Sequence, residues 1–212
     1  MSNIAAVLTG DLIASTKVGQ VAVDGAMDVL EDMASHEAHI SGLDIRFARF
    51  RGDGWQISCP DAIMVFRLTV LVIANLHSRP ALAQTRLAVA TGEVTALPPT
   101  GLASASGEVF SASGRELDGM KTERLVFFAR TTDAKWQRPL FSYLDWQSSR
   151  WSPQQAEAVA LAFHHNPPNA RKIATKLGIS RQAAKARLDG AGYEPLSDAD
   201  RPFDSSKRFQ ND

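Results

Sequence analysis

Sulfur chemistry is nearly absent from this chain: among 212 residues there is one cysteine, Cys59. A single cysteine excludes an intrachain disulfide and any multi-cysteine zinc site, and in its apolar setting Cys59 reads as a small core residue. Neither sign of charge is in excess, because 23 Lys+Arg against 23 Asp+Glu leave a formal net charge of zero. That balance excludes a protein that is basic all over and coats nucleic acid, while a local basic face stays open. Long apolar runs are also missing. The longest, 62–76, is broken by Arg67 and Asn75 and is too short to cross a bilayer. No charged-then-apolar leader precedes residue 4, so a soluble cytoplasmic protein with no membrane partner is expected. Internal repeats and low-complexity runs are absent. What remains is enough chain for one well-filled domain of about 150 residues and a second, small one.

Two aspartates stand out in what is present. Asp11 follows an apolar run (Ile4, Ala5, Ala6, Val7, Leu8) that reads as a buried strand, and Gly10 lets that strand pass close to a neighbour just before the carboxylate. Asp53 lies between Gly52 and Gly54, where an alternating run through Ile45 and Phe47 turns back into Trp55, Ile57 and Cys59. This is the pattern of two antiparallel strands joined by a Gly-flanked hairpin tip. Two carboxylates at strand ends suit a hard divalent cation, since phosphate-bound Mg²⁺ commonly takes one or two protein carboxylates. A plainer reading stands beside it: Asp-Gly is a common hairpin turn pair, and Asp11 can cap a turn or helix.

The order strand-Asp, long helix, strand-Gly-Asp-hairpin, helix, strand ending in Thr-Gly-Glu-Val resembles the class III nucleotidyl cyclase domain. Four stretches carry the likeness: Leu8 to Ala14 (LTGDLIA), Arg51 to Gln56 (RGDGWQ), Arg86 to Val94 (RLAVATGEV) and Gly107 to Leu117 (GEVFSASGREL). The resemblance spans about residues 1 to 145 and implies an α+β, ferredoxin-like palm domain that dimerises. It further implies Asp11 and Asp53 as ligands of Mg²⁺ or Mn²⁺, and Arg115 and Ser111 at the positions of the substrate-contacting Arg and Asn of cyclases. Arg49 takes the place of the adenine-reading Lys of adenylyl cyclases, with Ser104 near the position of its polar partner. Arg49 and Arg51 lie two apart on one strand and are expected on one face, where they could hold a triphosphate; paired arginines on a strand also form plain solvated or salt-bridged faces. The domain is also similar to SatD-type proteins, which share the GD strand, the R-G-D-G-aromatic hairpin and a small-residue segment near 113–118.

Helical spacing through Ala22, Ala26, Val29, Leu30 and Met33 predicts a helix over 21–41, and Pro60-Asp61 opens another to about residue 77. Strands are expected at 86–90 and 125–130, a loop at 93–107 and a helix at 109–119. Composition changes near Trp146. Residues 151–195 read as a small all-α domain of three helices, set off from a palm domain over 1–147, and 196–212 read as a loose tail. Arg171 to Leu188 (RKIATKLGISRQAAKARL) resembles a helix-turn-helix, with Gly178 at the turn, Ser180 capping the third helix, and Ala174, Ile179 and Leu188 in its core. Between 152 and 192 six cationic residues (Arg171, Lys172, Lys176, Arg181, Lys185, Arg187) face two acidic ones, Glu157 and Asp189. Ser180, Arg181, Gln182 and Lys185 are the positions expected in a major groove, with Lys176 on phosphate. A three-helix module for protein contacts has the same core pattern.

Three functions are open, and the first is the preferred reading. The first is a DNA-binding transcriptional regulator whose palm domain binds a nucleotide and a divalent metal. The second is an active metal-dependent nucleotidyl cyclase with accessory helices; its difficulty is Ser111 and Arg49 where cyclases place Asn and Lys, since turnover depends on positioned groups and not on metal alone. The third is an inert palm that only dimerises.

Overall fold

The computed structural model describes residues 4–50, 52–95, 97–121, 123–129 and 136–204. Five strands form one sheet: β1 (Ile4–Leu12), β2 (Arg46–Phe50), β3 (Gly54–Cys59), β4 (Thr85–Glu93) and β5 (Leu125–Ala129), in the order β2-β3-β1-β4-β5. The first four pair antiparallel, and β5 adds parallel to β4. Between β1 and β2 come a short α1 (Ser15–Val18) and the long α2 (Gln20–Ser41); α3 (Val65–His77) joins β3 to β4, and α4 (Glu108–Gly119) joins β4 to β5. Strand-helix-strand-strand-helix-strand with this order is the ferredoxin-like arrangement, so the expected α+β palm topology is present.

Helices cover both faces of the sheet, and strand alternation decides what each face receives. Leu8 and Leu12 of β1, Trp55 and Ile57 of β3, and Leu87 and Val89 of β4 pack with α2 and α3 in the main core. Val7, Ala88 and Ala90 point the other way, against Val109, Ala112, Leu117 and Met120 on or next to α4. A central strand sandwiched this way must be apolar on both sides, and Ala5 to Leu8 are 0–3% exposed. Gly10 is required by contact: a Cβ there would lie 2.4 Å from the Trp55 indole and 2.8 Å from the Arg86 carbonyl oxygen. Cys59 is buried, and burial pushes its thiol up to about 12, which keeps it a packing residue.

One helix escapes the sequence pattern. Gln137–Ser148 form α5, whose Phe141 and Leu144 are fully buried. The Phe141 ring stacks on Phe127 at 4.3 Å and meets Phe66 edge-on at 5.7 Å.

The C-terminal helices follow their capping signals. In α6 (Pro153–Ala162) Ser152 and Gln155 form a reciprocal capping box with Pro153 in the first turn. Asn169 caps α7 (Ala170–Leu177), Gly178 ends it at φ 64°, and Ser180 caps α8 (Arg181–Ala191). These three helices share a core of Ala158, Ala162, Ile173, Ala174, Ala184 and Leu188. The other side of α6 does not stop at a domain border. Ala156, Val159, Ala160 and Phe163 join the main core with Trp151, Ala191 and Leu196, so packing runs without a gap across the boundary expected near 147–151. The tail expected from 196 is also structured as far as 204, within α9 (Tyr193–Asp204); Leu196 is buried and Asp200 pairs with Arg67 of α3. Residues 205–212 lie outside the described residues. Among the described residues no helix is long and apolar enough to cross a membrane.

Candidate functional site

Asp11 and Asp53 meet at one end of the sheet through backbone pairing. Asp11 stands opposite Gly54 in the β1–β3 register, and the Leu12 N–H donates to the Asp53 carbonyl at 3.0 Å. The Thr85 hydroxyl, which accepts from the Trp55 indole N–H at 2.9 Å, donates to the Asp11 carbonyl at 2.8 Å. Backbone and packing therefore hold Asp11 in place from both neighbouring strands.

Each carboxylate already has a partner from this chain. Asp11 shares the α4 face with its cross-strand partner Arg86, which forks onto it with Nε to Oδ1 at 2.7 Å and Nη2 to Oδ2 at 2.8 Å. The hydrogen bond to Asp11 is the main cause holding the Arg86 guanidinium above its ordinary pKa. Asp53 accepts from the Ser15 hydroxyl through Oδ2 at 2.6 Å. Hard oxygens of this kind suit Mg²⁺ or Mn²⁺, and a carboxylate offers about four lone-pair sites, so the fork leaves roughly half of Asp11's free. A divalent cation bound here would have to share Asp11 with Arg86. Sequence reading missed Arg86 and Ser15 as partners; Arg86 lay inside a quoted motif, but its pairing depends on a register 75 residues long.

The remaining candidates are spread out. Arg49 pairs with Trp55 and so faces α2, on the side of the sheet opposite Asp11. There its Nη1 donates to Asp24 at 2.7 Å and its Nε to the Gly52 carbonyl at 2.7 Å. Arg51, expected on the same face, lies outside the described residues. The loop after β4 carries Ser104, exposed, and is tied to β2 by Arg46, whose Nη1 donates to the Pro98 carbonyl at 2.5 Å. Ser111 and Arg115 sit on the outer side of α4, where Arg115 Nη2 donates to Glu108 at 2.5 Å. The serine that does reach the sheet is Ser113, fully buried and 2.7 Å from Thr9, whose hydroxyl also accepts from Gln56 at 2.9 Å.

The helical half presents its candidates outward. Ser180, Arg181, Gln182 and Lys185 are exposed, while Ala184 and Leu188 of the same helix are buried. Lys185 pairs with Asp189 at 2.6 Å and Arg187 with Glu157 at 3.1 Å. Lys176 is exposed on α7 and lines a cleft of about 450 Å³ between α3, α6 and α7.

No protein-family model matches the chain, and no curated protein matches it. Solved structures do. The guanylyl cyclase Cya2 aligns at 15% identity over 60% of this chain and 77% of its own, with a TM-score of 0.41. A bacterial light-regulated adenylyl cyclase aligns at 13% identity over 60% and 76%, TM-score 0.41, and the adenylyl cyclase CyaB from P. aeruginosa at 12% over 60% and 77%, TM-score 0.40. At these scores the likeness adds nothing to the topology, which rests on the chain's own strand order.

Proposed function

We propose that the sheet half is a nucleotide-binding domain of the nucleotidyl cyclase type, which holds a nucleoside triphosphate through Mg²⁺ or Mn²⁺ on Asp11 and Asp53. The observation that carries this reading is the pairing of Leu12 with Asp53 and of Asp11 with Gly54, which brings both carboxylate-bearing residues to one sheet end. The ion would supply charge neutralisation for the phosphates; Arg86 would orient Asp11, and Ser15 would orient Asp53. Arg115 and Ser111 are exposed on the outer side of α4 and would serve the site of a second copy of the chain in a homodimer whose sites form between subunits.

Binding is favoured over turnover within one chain. Arg49 is held by Asp24 and Arg115 by Glu108, so the cations that would stabilise a transition state are engaged elsewhere. Incubation with each nucleoside triphosphate and Mn²⁺, followed for pyrophosphate release, separates the outcomes. Sustained release that Asp53→Ala abolishes makes the protein a cyclase; binding without release makes it a sensor; neither leaves the palm as a dimerisation scaffold.

A second reading, that the helical half binds DNA as part of a transcriptional regulator, is favoured by one separate observation. Ser180 caps α8 so that Arg181, Gln182 and Lys185 project from the side facing away from the core, the arrangement a reading helix needs. Binding of the full chain to random genomic fragments, with recovery of one enriched sequence, supports it; recovery with no enrichment and no salt dependence assigns these helices to protein contacts.

A further inference from the structure

Where α2 meets the chain just beyond α6, two imidazoles and a carboxylate converge. His36, Glu37 and His164 each place one ligand-capable atom within 4.8 Å of the others. His164 Nδ1 lies 2.5 Å from Glu37 Oε1, and the two imidazole rings meet edge-on with centroids 4.8 Å apart. Glu37 is fully buried, yet its Oε2 has no hydrogen-bond partner, the one such buried side-chain atom among the described residues. An orphaned carboxylate oxygen in an apolar interior is costly, and the contact from His164 serves Oε1 alone. None of these residues touches the Asp11–Asp53 end through any bond described above.

We propose that His36, Glu37 and His164 bind a borderline divalent metal, Zn²⁺ in preference to Mg²⁺, which ties α2 of the sheet half to the helical half. Two histidines and one glutamate form a set that zinc accepts, with a fourth position left for water. Hard, strongly hydrated Mg²⁺ prefers an all-oxygen shell, so imidazoles select against it. Tetrahedral bonds of about 2.1 Å separate ligand atoms by about 3.4 Å, so small rotations of the exposed His36 and the half-buried His164 close the site. Access exists, because His164 also lines the 450 Å³ cleft between α3, α6 and α7. The ion would replace the missing partner of Glu37, and its loss would loosen the joint between the two halves.

The proposal does not depend on the nucleotide reading, and its test keeps the two apart. Chelator-treated full-length protein is titrated with Zn²⁺ against a chromogenic chelator, and with Co²⁺ while its visible absorption is followed. The expected result is one equivalent bound and a tetrahedral-type Co²⁺ spectrum. His36→Ala, at an exposed position, and His164→Ala should each weaken Zn²⁺ binding at least about tenfold, the lower bound of what even outer-shell partners cost. Asp11→Asn and Asp53→Ala should leave it unchanged. Added Zn²⁺ should raise the melting temperature of the wild type and not of His36→Ala. No stoichiometric binding, wild-type affinity in both histidine variants, or loss of Zn²⁺ in the aspartate variants would each overturn the proposal.

Discussion

Cationic side chains are used in opposite ways in the two halves of the molecule. In the sheet half the arginines of β2, β4 and α4 are consumed internally: Arg86 by Asp11, Arg49 by Asp24, Arg46 by Asp44 and Arg115 by Glu108. In the helical half Lys185 and Arg187 find acids, but the side chains of Arg171, Lys172, Lys176 and Arg181 have no hydrogen-bond or ion-pair partner among the described residues and face solvent. A motif residue in the sheet half is therefore poised, and a ligand must displace or share its partner; in the helical half a polyanion meets side chains already free. The same residue type carries different weight as evidence in the two places.

The contrast in charge sits on a shared core, and the largest expected effect tests that core. Phe66 of α3 contacts Phe141 of the sheet half and Phe163 after α6 edge-on, at 5.7 and 6.3 Å. Phe66→Ala should cost about 3–5 kcal/mol, with both halves melting in one transition by circular dichroism and tryptophan fluorescence. Two separate transitions would make the halves independent and confine the contrast to a loose tether.

Gly10→Ala should cost less, about 1–3 kcal/mol, since the added Cβ drives into the Trp55 ring and a backbone oxygen. Measured by urea unfolding, a neutral effect would mean that β1 does not hold Asp11 as tightly as its contacts indicate. On a selected DNA site Arg181→Ala should cost about 1–3 kcal/mol, whereas Lys176→Ala should weaken all sequences alike and lower the salt slope by about 1. Equal binding by both variants would remove the functional side of the comparison.

The smallest effect is a pH dependence in the sheet half. The hydrogen bond from Arg49, followed by that from Gln20, holds the Asp24 carboxyl below its ordinary value of 3.8. A depressed carboxylate stabilises the fold above its unfolded pKa, and that contribution disappears as pH falls through the lower folded value. Arg49→Gln should therefore bring stability curves of variant and wild type together below that range and leave a small gap near neutrality. A gap that persists unchanged in acid would show that Arg49 acts by packing and not by charge.

Legibility in the sequence followed the range of the signal. The buried run of β1, the Gly-flanked hairpin, the α2 stripe and the caps of α6 to α8 are local patterns, and each element formed within a few residues of its expected place. Helix α5 was hidden because Pro139 falls in its first turn and its buried face is brief: Phe141, Leu144 and Ser148. Side-chain placement was harder to read. Asp11 and Asp53 could each be assigned to a strand end from their turns, but their meeting at one sheet end, Arg86 on Asp11 and Arg49 on the opposite face follow from cross-strand register, which no local window contains. Likewise Ser111 sat in the quoted motif, yet it is Ser113, two residues on, that faces the sheet and binds Thr9.

Equilibrium binding of nucleoside triphosphates to the wild type and to Asp53→Ala, with and without Mn²⁺, tests the central claim most directly. Nucleotide should raise the melting temperature of the wild type only when Mn²⁺ is present, and the rise should vanish in Asp53→Ala while the metal-free melting temperature stays close to that of the wild type. Nucleotide binding that ignores both Mn²⁺ and the Asp53 substitution, or no binding of any triphosphate, would contradict it.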